Sequence, residues 1–141
     1  MFELTPHLGS RHAWSAEVTE AHTVPALPIA GAGLEAMPAV LATPMLVAMA
    51  ECACAAHLAA LAGPEPLSLG TEVSISHTAA TPVGLTVTIT TELIAVEGRL
   101  LTFAFAAHDG VEAAGHGRHT RAIVAPDRFA QRLAEKRSRR P

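Results

Sequence analysis

The chain has 141 residues, of which 50% are hydrophobic, and a formal net charge of −3. This length fits one domain with a substantial core, and the net charge excludes a general attraction to nucleic acid or to acidic lipid. The basic residues are nevertheless unevenly distributed, because six of the ten lie near the end of the chain: Arg128, Arg132, Lys136, Arg137, Arg139 and Arg140. This basic tail is either a solvated terminus or a surface that attracts a phosphate-bearing ligand.

Residues 1–7 lack a basic region followed by an apolar one, so we predict no signal peptide and a cytoplasmic protein. The only cysteines, Cys52 and Cys54, are two positions apart within an apolar stretch. On a helix this spacing suits neither a disulfide nor a metal pair. Both cysteines are therefore predicted to be small buried apolar residues.

The first strand is predicted over residues 11–19, where apolar and polar side chains alternate weakly. Residues 20–42 are rich in proline and glycine and predict a long irregular connection, with one helical turn near 34–41. Connections of this length in a small domain commonly serve as lids or binding loops. We therefore interpret residues 20–42 as a lid or connecting loop.

The central helix is predicted over residues 44–62, the most apolar stretch of the chain. Thr43 suits the N-cap and Pro44 the first helical position, and Gly63 followed by proline ends the helix. The stretch approaches membrane-spanning length, but an acid and a histidine interrupt it, which favours a buried core helix. Because it is apolar on nearly all sides, other elements should surround it.

The rest of the chain predicts four further strands in a meander and a short helix. Asp109-Gly110 is a strong hairpin signal. The predicted strands cover 69–76, 85–96, 100–107 and 113–124, and a basic C-terminal helix and tail cover 126–141.

These elements predict a single α+β domain over residues 1–141, in which a five-stranded antiparallel sheet wraps around one long central helix. This is the hot-dog arrangement. Its edge strands and incompletely covered helix favour a homodimer.

Glu51 is the most informative residue, because residues 44–62 contain no Lys, Arg or Asp. An ionised carboxylate buried without a partner is strongly unfavourable, so this group must protonate, find a distant partner or face a cavity. Each of these outcomes makes Glu51 a candidate catalytic group. The alternative is a narrow solvent-facing stripe on an amphipathic helix.

Two further residues are candidates for the same site. His77 ends the first strand after the helix, where a histidine can act as donor, base or polariser; the alternative is a residue that caps its own turn. For Thr43 the alternative is a purely structural N-cap. The other histidines are predicted to be solvent-facing or incidental, and the last two make a poor metal pair because they point to opposite faces of a strand: His7, His12, His22, His57, His108, His116 and His119.

Together these segments resemble the fluoroacetyl-CoA thioesterase and its relatives, which are hot-dog acyl-CoA hydrolases. The similarity covers roughly residues 37–129. It rests on Leu41-Ala-Thr43, Met49-Ala-Glu51-Cys-Ala, Ser68-Leu-Gly-Thr71, His77-Thr-Ala-Ala-Thr-Pro82, Gly84-Leu-Thr-Val-Thr88, Val96-Glu-Gly-Arg99, Ala107-His-Asp-Gly-Val111 and the run ending at Arg121-Ala122.

The resemblance implies a small acyl-CoA substrate, no metal and no cofactor other than the coenzyme A of the substrate. It implies a catalytic set of Thr43, Glu51 and His77. It also implies substrate-binding residues, with Gly70 near the thioester, Arg121 close to the site, and Leu34 and Met37 in the lid where the acyl group binds. The member of this family that is specific for a fluorinated substrate has aromatic residues in the lid and beside the acid. This chain has Leu34, Met37 and Cys52 at those places, so the resemblance does not extend to selectivity for a fluorinated acyl group.

Helix geometry separates two members of this set. Thr43 and Glu51 are eight residues apart, which places them about 12 Å apart along the axis and about 80° apart in rotation. This distance excludes a hydrogen bond between them within one subunit. We therefore expect either that they come from opposite subunits of an obligate dimer or that they flank the two ends of the ligand.

The chemistry of thioester hydrolysis assigns Glu51 as general base or direct nucleophile, His77 as polariser or proton donor, and Thr43 as the group that positions water or the acyl group. A hot-dog hydratase or dehydratase is a rival interpretation, but the helix lacks the Asp and His pair it needs. A non-catalytic acyl-CoA or small-molecule binding protein is the second rival.

Overall fold

A five-stranded antiparallel sheet curls around one long helix, as predicted. The computed structural model describes residues 3–29 and 33–141. The strands are β1 (Arg11–Glu17), β2 (Leu67–His77), β3 (Thr86–Glu97), β4 (Leu100–His108) and β5 (Ala113–Val124), and the helices are α1 (Thr43–Ala62) and α2 (Pro126–Ser138). Short 3₁₀ turns cover Thr5–His7, Glu20–His22, Val24–Ala26 and Leu34–Ala36.

The strand order is β1-β3-β4-β5-β2, so the predicted meander is only partly right. Strands β3, β4 and β5 are consecutive neighbours, but β2 pairs with β5 and lies at the edge of the sheet. Two glycines of β5 make this pairing fit closely. A Cβ on Gly115 would lie 2.7 Å from the carbonyl oxygen of Ser76, and one on Gly117 would overlap that of Ser74.

One face of α1 packs on the sheet, and the buried residues recur every three or four positions, as a helix lying on a surface requires. They are Leu46, Met49, Ala50, Ala53, Cys54, His57 and Leu58. The opposite face is built of small apolar residues and is only partly covered, so the sheet of one chain does not enclose the helix on all sides as expected. By length and composition α1 could also cross a membrane.

The two cysteines differ, which corrects the prediction that both are buried. Cys54 is buried, and burial raises the pKa of its thiol to about 12. Cys52 is exposed on the uncovered face of α1. Two positions along a helix turn a side chain by about 200°, which moves it from the sheet to the outer face.

The start of α1 differs by one position from the prediction. Ala42 is the N-cap of α1, and Thr43 is the first helical residue, so the threonine side chain does not cap the helix. The end is as predicted, because Gly63 has a φ of 78° and its N–H donates to the carbonyl of Ala59 at 2.9 Å.

Two β-bridges and a backbone hydrogen bond hold the connection before α1 in place close to the helix. Thr23 and Leu41 form an antiparallel β-bridge, Val40 forms another with Pro82, and the Leu41 N–H donates to the Thr81 carbonyl at 2.8 Å. The predicted helical turn near 34–41 is a short 3₁₀ turn over Leu34–Ala36. Residues 30–32 of the predicted lid lie outside the described residues.

Candidate active site

Thr43 and His77 form a hydrogen-bonded pair at the start of α1. The Thr43 hydroxyl and His77 Nδ1 are 2.8 Å apart. Because Thr43 is inside the helix rather than at its N-cap, its hydroxyl is free to make this bond. His77 is the last residue of β2, as predicted. The structure therefore brings two of the three predicted catalytic residues together.

The second nitrogen of His77 is available to a ligand. His77 Nε2 is buried and has no hydrogen-bond partner among residues 3–29 and 33–141. A cavity of about 280 Å³ adjoins the pair, between the end of the predicted lid at Val40 and Leu41 and the loop after β2 at Thr78–Ala80. An unpaired imidazole nitrogen beside a cavity can polarise a carbonyl or transfer a proton.

Glu51 lies two turns further along α1 and contacts β2. Its carboxylate sits against Gly70, so closely that a Cβ at Gly70 would overlap Glu51 Oε1. The side chain of Glu51 is 44% exposed in the single chain, so it is neither fully buried nor freely solvated. The ladder between β2 and β5 shifts register between Gly70 and Glu72, and such bulges commonly redirect side chains beside active sites.

His119 is the neighbour of Glu51 that the sequence analysis missed. It is 1% exposed, contrary to the prediction that it is incidental, and its Nε2 lies 3.7 Å from Glu51 Oε1. Nδ1–H donates to the Glu72 carbonyl at 2.9 Å. A Cβ at Gly70 would also lie 2.8 Å from the His119 ring. The missing side chain at Gly70 thus lets the acid and the imidazole meet.

His119 is neutral at neutral pH. Burial lowers its pKa, and the positive charge of Arg121 acts in the same direction, against the bond to Glu72 and the charge of Glu51. Its Nε2 therefore accepts the hydrogen bond from Arg121 Nη1 at 3.1 Å. The 3.7 Å approach to Glu51 is consequently a contact between a carboxylate and a neutral ring, not an ion pair.

Arg121 holds this group together. It is buried, and besides its bond to His119 it donates from Nε to the Ser68 hydroxyl at 2.9 Å and from Nη2 to the Ser68 carbonyl at 3.0 Å. The guanidinium donates three hydrogen bonds, which fix it in place. It therefore holds a permanent positive charge behind His119, close to Glu51. Its predicted role in substrate binding stays a prediction.

The lid residues lie apart from these contacts. Leu34 begins the 3₁₀ turn Leu34–Ala36 and is half-buried, whereas Met37 follows the turn and is exposed in the single chain. Their predicted role in binding the acyl group stays a prediction.

A second buried histidine was also missed. His57 is 1% exposed and faces the sheet from α1, with Ser10 on one ring nitrogen at 3.0 Å and Thr91 on the other at 2.9 Å. The helical spacing from the buried residues Ala50 and Ala53 could have identified it. For His119 the usable signal was the alternation of β5, which places it on the same face as Arg121.

The predicted residues thus fall into two groups within one chain. Thr43 and His77 form one group, and Glu51, Gly70 and Arg121 belong to the other. In the part of the chain that the structure describes, no hydrogen bond or ion pair joins Glu51 to Thr43 or His77. Both groups lie along α1, so only a ligand that reaches both, or a second subunit, can combine them.

Comparison with known proteins agrees with the resemblance seen in the sequence. A family model described as fluoroacetyl-CoA-specific thioesterase (FlK) matches residues 18–127. The fluoroacetyl-CoA thioesterase of Streptantibioticus cattleyicolor is 46% identical over 99 residues, which cover 70% of this chain and 71% of that protein.

Solved structures of the same enzyme superpose on this chain. The fluoroacetyl-CoA thioesterase FlK matches with a TM-score of 0.84 and 40% identity, over 95% of this chain and 97% of that one. A mutant of FlK in complex with fluoroacetate and CoA matches with a TM-score of 0.81 and 41% identity, over 86% of this chain and 98% of that one. By sequence and by fold, the chain belongs to the fluoroacetyl-CoA-specific thioesterase family.

Proposed function

We propose that this hot-dog acyl-CoA thioesterase hydrolyses a small acyl-CoA thioester with Thr43, Glu51 and His77. The observation that supports this most directly is the hydrogen bond of 2.8 Å between Thr43 and His77, which leaves a buried imidazole nitrogen unpaired beside a cavity. Glu51 supplies the carboxylate that the reaction needs. The relatives of this chain are named for the same type of reaction on fluoroacetyl-CoA.

In the proposed reaction Glu51, His77 and Thr43 have different roles. Glu51 either removes a proton from water as the water oxygen bonds to the acyl carbon, or bonds to that carbon itself. The carbonyl oxygen gains negative charge, which His77 stabilises while Thr43 holds the imidazole in place. The carbon–sulfur bond then breaks, and the coenzyme A thiolate leaves and takes up a proton, which in the general-base route is the one that Glu51 removed from water. In the covalent route, water then hydrolyses the anhydride between the acyl group and Glu51, which releases the acid and restores the carboxylate. No cofactor beyond coenzyme A is proposed.

We also propose that the working enzyme is a cytoplasmic homodimer whose sites combine residues of both subunits. Two surfaces support this: β2 is an edge strand with unpaired backbone groups, and the outer face of α1 exposes small apolar residues and Cys52. A dimer that covers both surfaces can bring Glu51 of one subunit towards Thr43 and His77 of the other.

The direct test is release of free thiol from a panel of short, branched and aromatic acyl-CoAs. We expect wild-type protein to hydrolyse at least one of them and Glu51→Gln to lose nearly all turnover, because the amide can neither accept a proton nor attack. Glu17→Gln, which neutralises an exposed acid at the end of β1, is the matched control. If wild-type protein releases no more thiol than Glu51→Gln on every substrate, the result favours a non-catalytic binding protein.

The shared site is tested by mixing two inactive variants, Thr43→Ala and Glu51→Gln. In a mixed dimer with composite sites, one of the two sites contains both intact residues. Random exchange should therefore restore about a quarter of the wild-type rate. If every site is built within one subunit, the mixture stays inactive, and the dimer proposal fails while the hydrolase proposal stands.

The role of Glu51 is tested with a slow substrate in oxygen-18 water. Label in the Glu51 carboxylate after a single turnover requires a covalent acyl intermediate and excludes a pure general-base route. Label that reaches only the released acid is expected for the general-base route and also for attack of water on the acyl carbon of a covalent anhydride, so only label in Glu51 decides between the two routes.

A further inference from the structure

Three arginines line a cleft that has no part in the chemistry proposed above. The cleft has a volume of about 230 Å³ and lies between the turn that joins β3 to β4 and the start of α2. Arg99 comes from the turn, and Arg128 and Arg132 come from α2. Phe129 and the end of β5 supply its apolar wall.

The backbone holds these three side chains on one cleft. The Ile123 N–H donates to the Arg99 carbonyl at 2.9 Å, which fixes the turn beside the end of β5. Arg128 and Arg132 are four residues apart on α2, so they share one face of the helix.

The cleft is rich in unneutralised positive charge. Within residues 3–29 and 33–141, the only ion pair that involves an arginine joins Arg11 to Glu92. Like charges four residues apart on a helix destabilise it unless an anion lies between them. The cleft therefore fits a ligand with several negative charges, such as phosphate groups.

Two further clefts lie between the arginines and the surroundings of Glu51. The first, of about 660 Å³, shares Arg99 and residues 123–125 with the arginine cleft and extends to Pro66 and Leu67. The second, of about 330 Å³, shares Pro66 and Leu67 and extends to Ser68 and Arg121. Arg121, which lines the second of these clefts, also holds His119 beside Glu51, so neighbouring clefts with shared residues extend from the arginines to the surroundings of the acid.

We propose that Arg99, Arg128 and Arg132 bind the phosphate groups of the coenzyme A part of the substrate. This inference rests on the proposed acyl-CoA substrate. The arginine cleft lies at the Leu67 end of β2, because Leu67 pairs with Val124, which lines the cleft. The three steps from Gly70 back to Leu67 span about 10 Å of extended strand, so an extended arm such as pantetheine is required to join the thioester to the phosphate groups. Glu3 and Glu65 line the middle cleft, so phosphate groups are repelled there and attracted only at the arginine end.

The test compares an acyl-CoA with the same acyl group on pantetheine, which lacks the phosphates and the nucleotide. In the double variant Arg128→Gln/Arg132→Gln, we expect KM for the acyl-CoA to rise on the order of tenfold with kcat unchanged. KM for the acyl-pantetheine should not change. The matched control, called the tail variant below, is Arg137→Gln/Arg139→Gln, which removes the same charge from the end of α2 and the residue after it, outside the cleft. An equal rise of KM in both double variants would overturn the proposal.

A binding measurement separates this inference from the hydrolase proposal. Calorimetry with adenosine 3′,5′-bisphosphate should show binding that weakens with added salt, survives in Glu51→Gln and in the tail variant, and is lost in Arg128→Gln/Arg132→Gln. This result would support the site even if no acyl-CoA were hydrolysed. Equal binding by wild type and the cleft variant would overturn it. Inorganic phosphate that binds as tightly as the nucleotide would overturn the assignment to coenzyme A.

Discussion

The surroundings of His119 and of His57 make a useful comparison, because both histidines are buried where α1 meets the sheet and burial lowers the pKa of both. His57 lies between hydroxyl groups. Thr91 donates to the His12 carbonyl at 3.3 Å and accepts from His57 Nδ1, so His57 Nε2 accepts from Ser10. His12 stacks on the ring with centroids 5.6 Å apart.

His119 differs in the charge of its neighbours. It has Arg121 on one side and the partly exposed carboxylate of Glu51 on the other. The Ser10 and Thr91 hydroxyls can rotate to bond both ring nitrogens of His57. No nitrogen of His57 is left for a ligand, so its role is structural. The Glu51 carboxylate beside His119 is partly exposed and can still accept hydrogen bonds from a ligand. Burial of a histidine thus does not indicate a site by itself; the charge and exposure of its partners do.

The largest effect should follow from Gly70→Ala, which tests whether the carboxylate must lie against β2. The new Cβ would overlap Glu51 Oε1 and the His119 ring, and the flexible glutamate would move. We expect kcat/KM to fall at least about 100-fold, equivalent to about 3 kcal/mol, with the fold retained. Ser74→Ala, at an exposed position of the same strand, is the control. Unchanged turnover in Gly70→Ala would mean that the contact is unimportant.

The next effect concerns stability alone. His57→Leu should lower the free energy of unfolding by about 2 kcal/mol, because the Ser10 and Thr91 hydroxyls lose their buried partner. Denaturant unfolding measures this, with His116→Leu on the exposed side of β5 as the control. Turnover per folded molecule should not change. A loss of kcat in His57→Leu would contradict the division between the two histidines.

His119→Gln should reduce turnover, whereas His57→Leu should reduce only stability. We expect kcat to fall about tenfold, or about 1.4 kcal/mol, because Glu51 loses the ring that separates it from Arg121. As a positioning residue, His119 should affect kcat more than KM and should shift the acid limb of the pH–rate profile. A variant with an unchanged pH profile and reduced stability only would make His119 structural, like His57.

The smallest effect is a dependence of stability on pH. The pKa of His57 in the folded protein lies below the 6.5 of an unperturbed histidine, chiefly because of burial. Below pH 6.5 the unfolded chain therefore binds more protons than the folded one, so the free energy of unfolding falls as the pH falls. Well above pH 6.5 the histidine is neutral in both states and its contribution is complete. His57→Gln should flatten the slope below pH 6.5 in unfolding curves, whereas an unchanged slope would assign it to other groups.

Much of the fold was predictable because it depends on local patterns. The alternation in β1 and β5, the Gly63-Pro64 stop and the hairpin glycines gave the element ends to within about two residues. The pairing of β2 with β5 was not predictable from alternation, which determines the face of a strand but not its neighbour. The close approach of β2 to Gly115 and Gly117 depends on contacts between distant segments.

The candidate site was partly predictable for the same reason. Glu51 was conspicuous because its own segment holds no compensating charge, and His77 because it ends a strand. His119 was missed because its partner is 68 positions away in the chain, and only the folded sheet brings them together. The bond between Thr43 and His77 was likewise hidden, since an N-cap role explained the threonine locally.

The bridge between Thr23 and Leu41 closes the segment before α1 at its base. Leu41 is bound in turn to Thr81, whose hydroxyl donates to the buried Asp109 at 3.0 Å. These contacts hold the start of α1 through residues at the two ends of the segment. Surface loops closed in this way tolerate changes of sequence and length. If Leu34 and Met37 bind the acyl group as predicted, exchange of the stretch that bears them between family members should change the preferred acyl chain while the reacting groups keep their geometry.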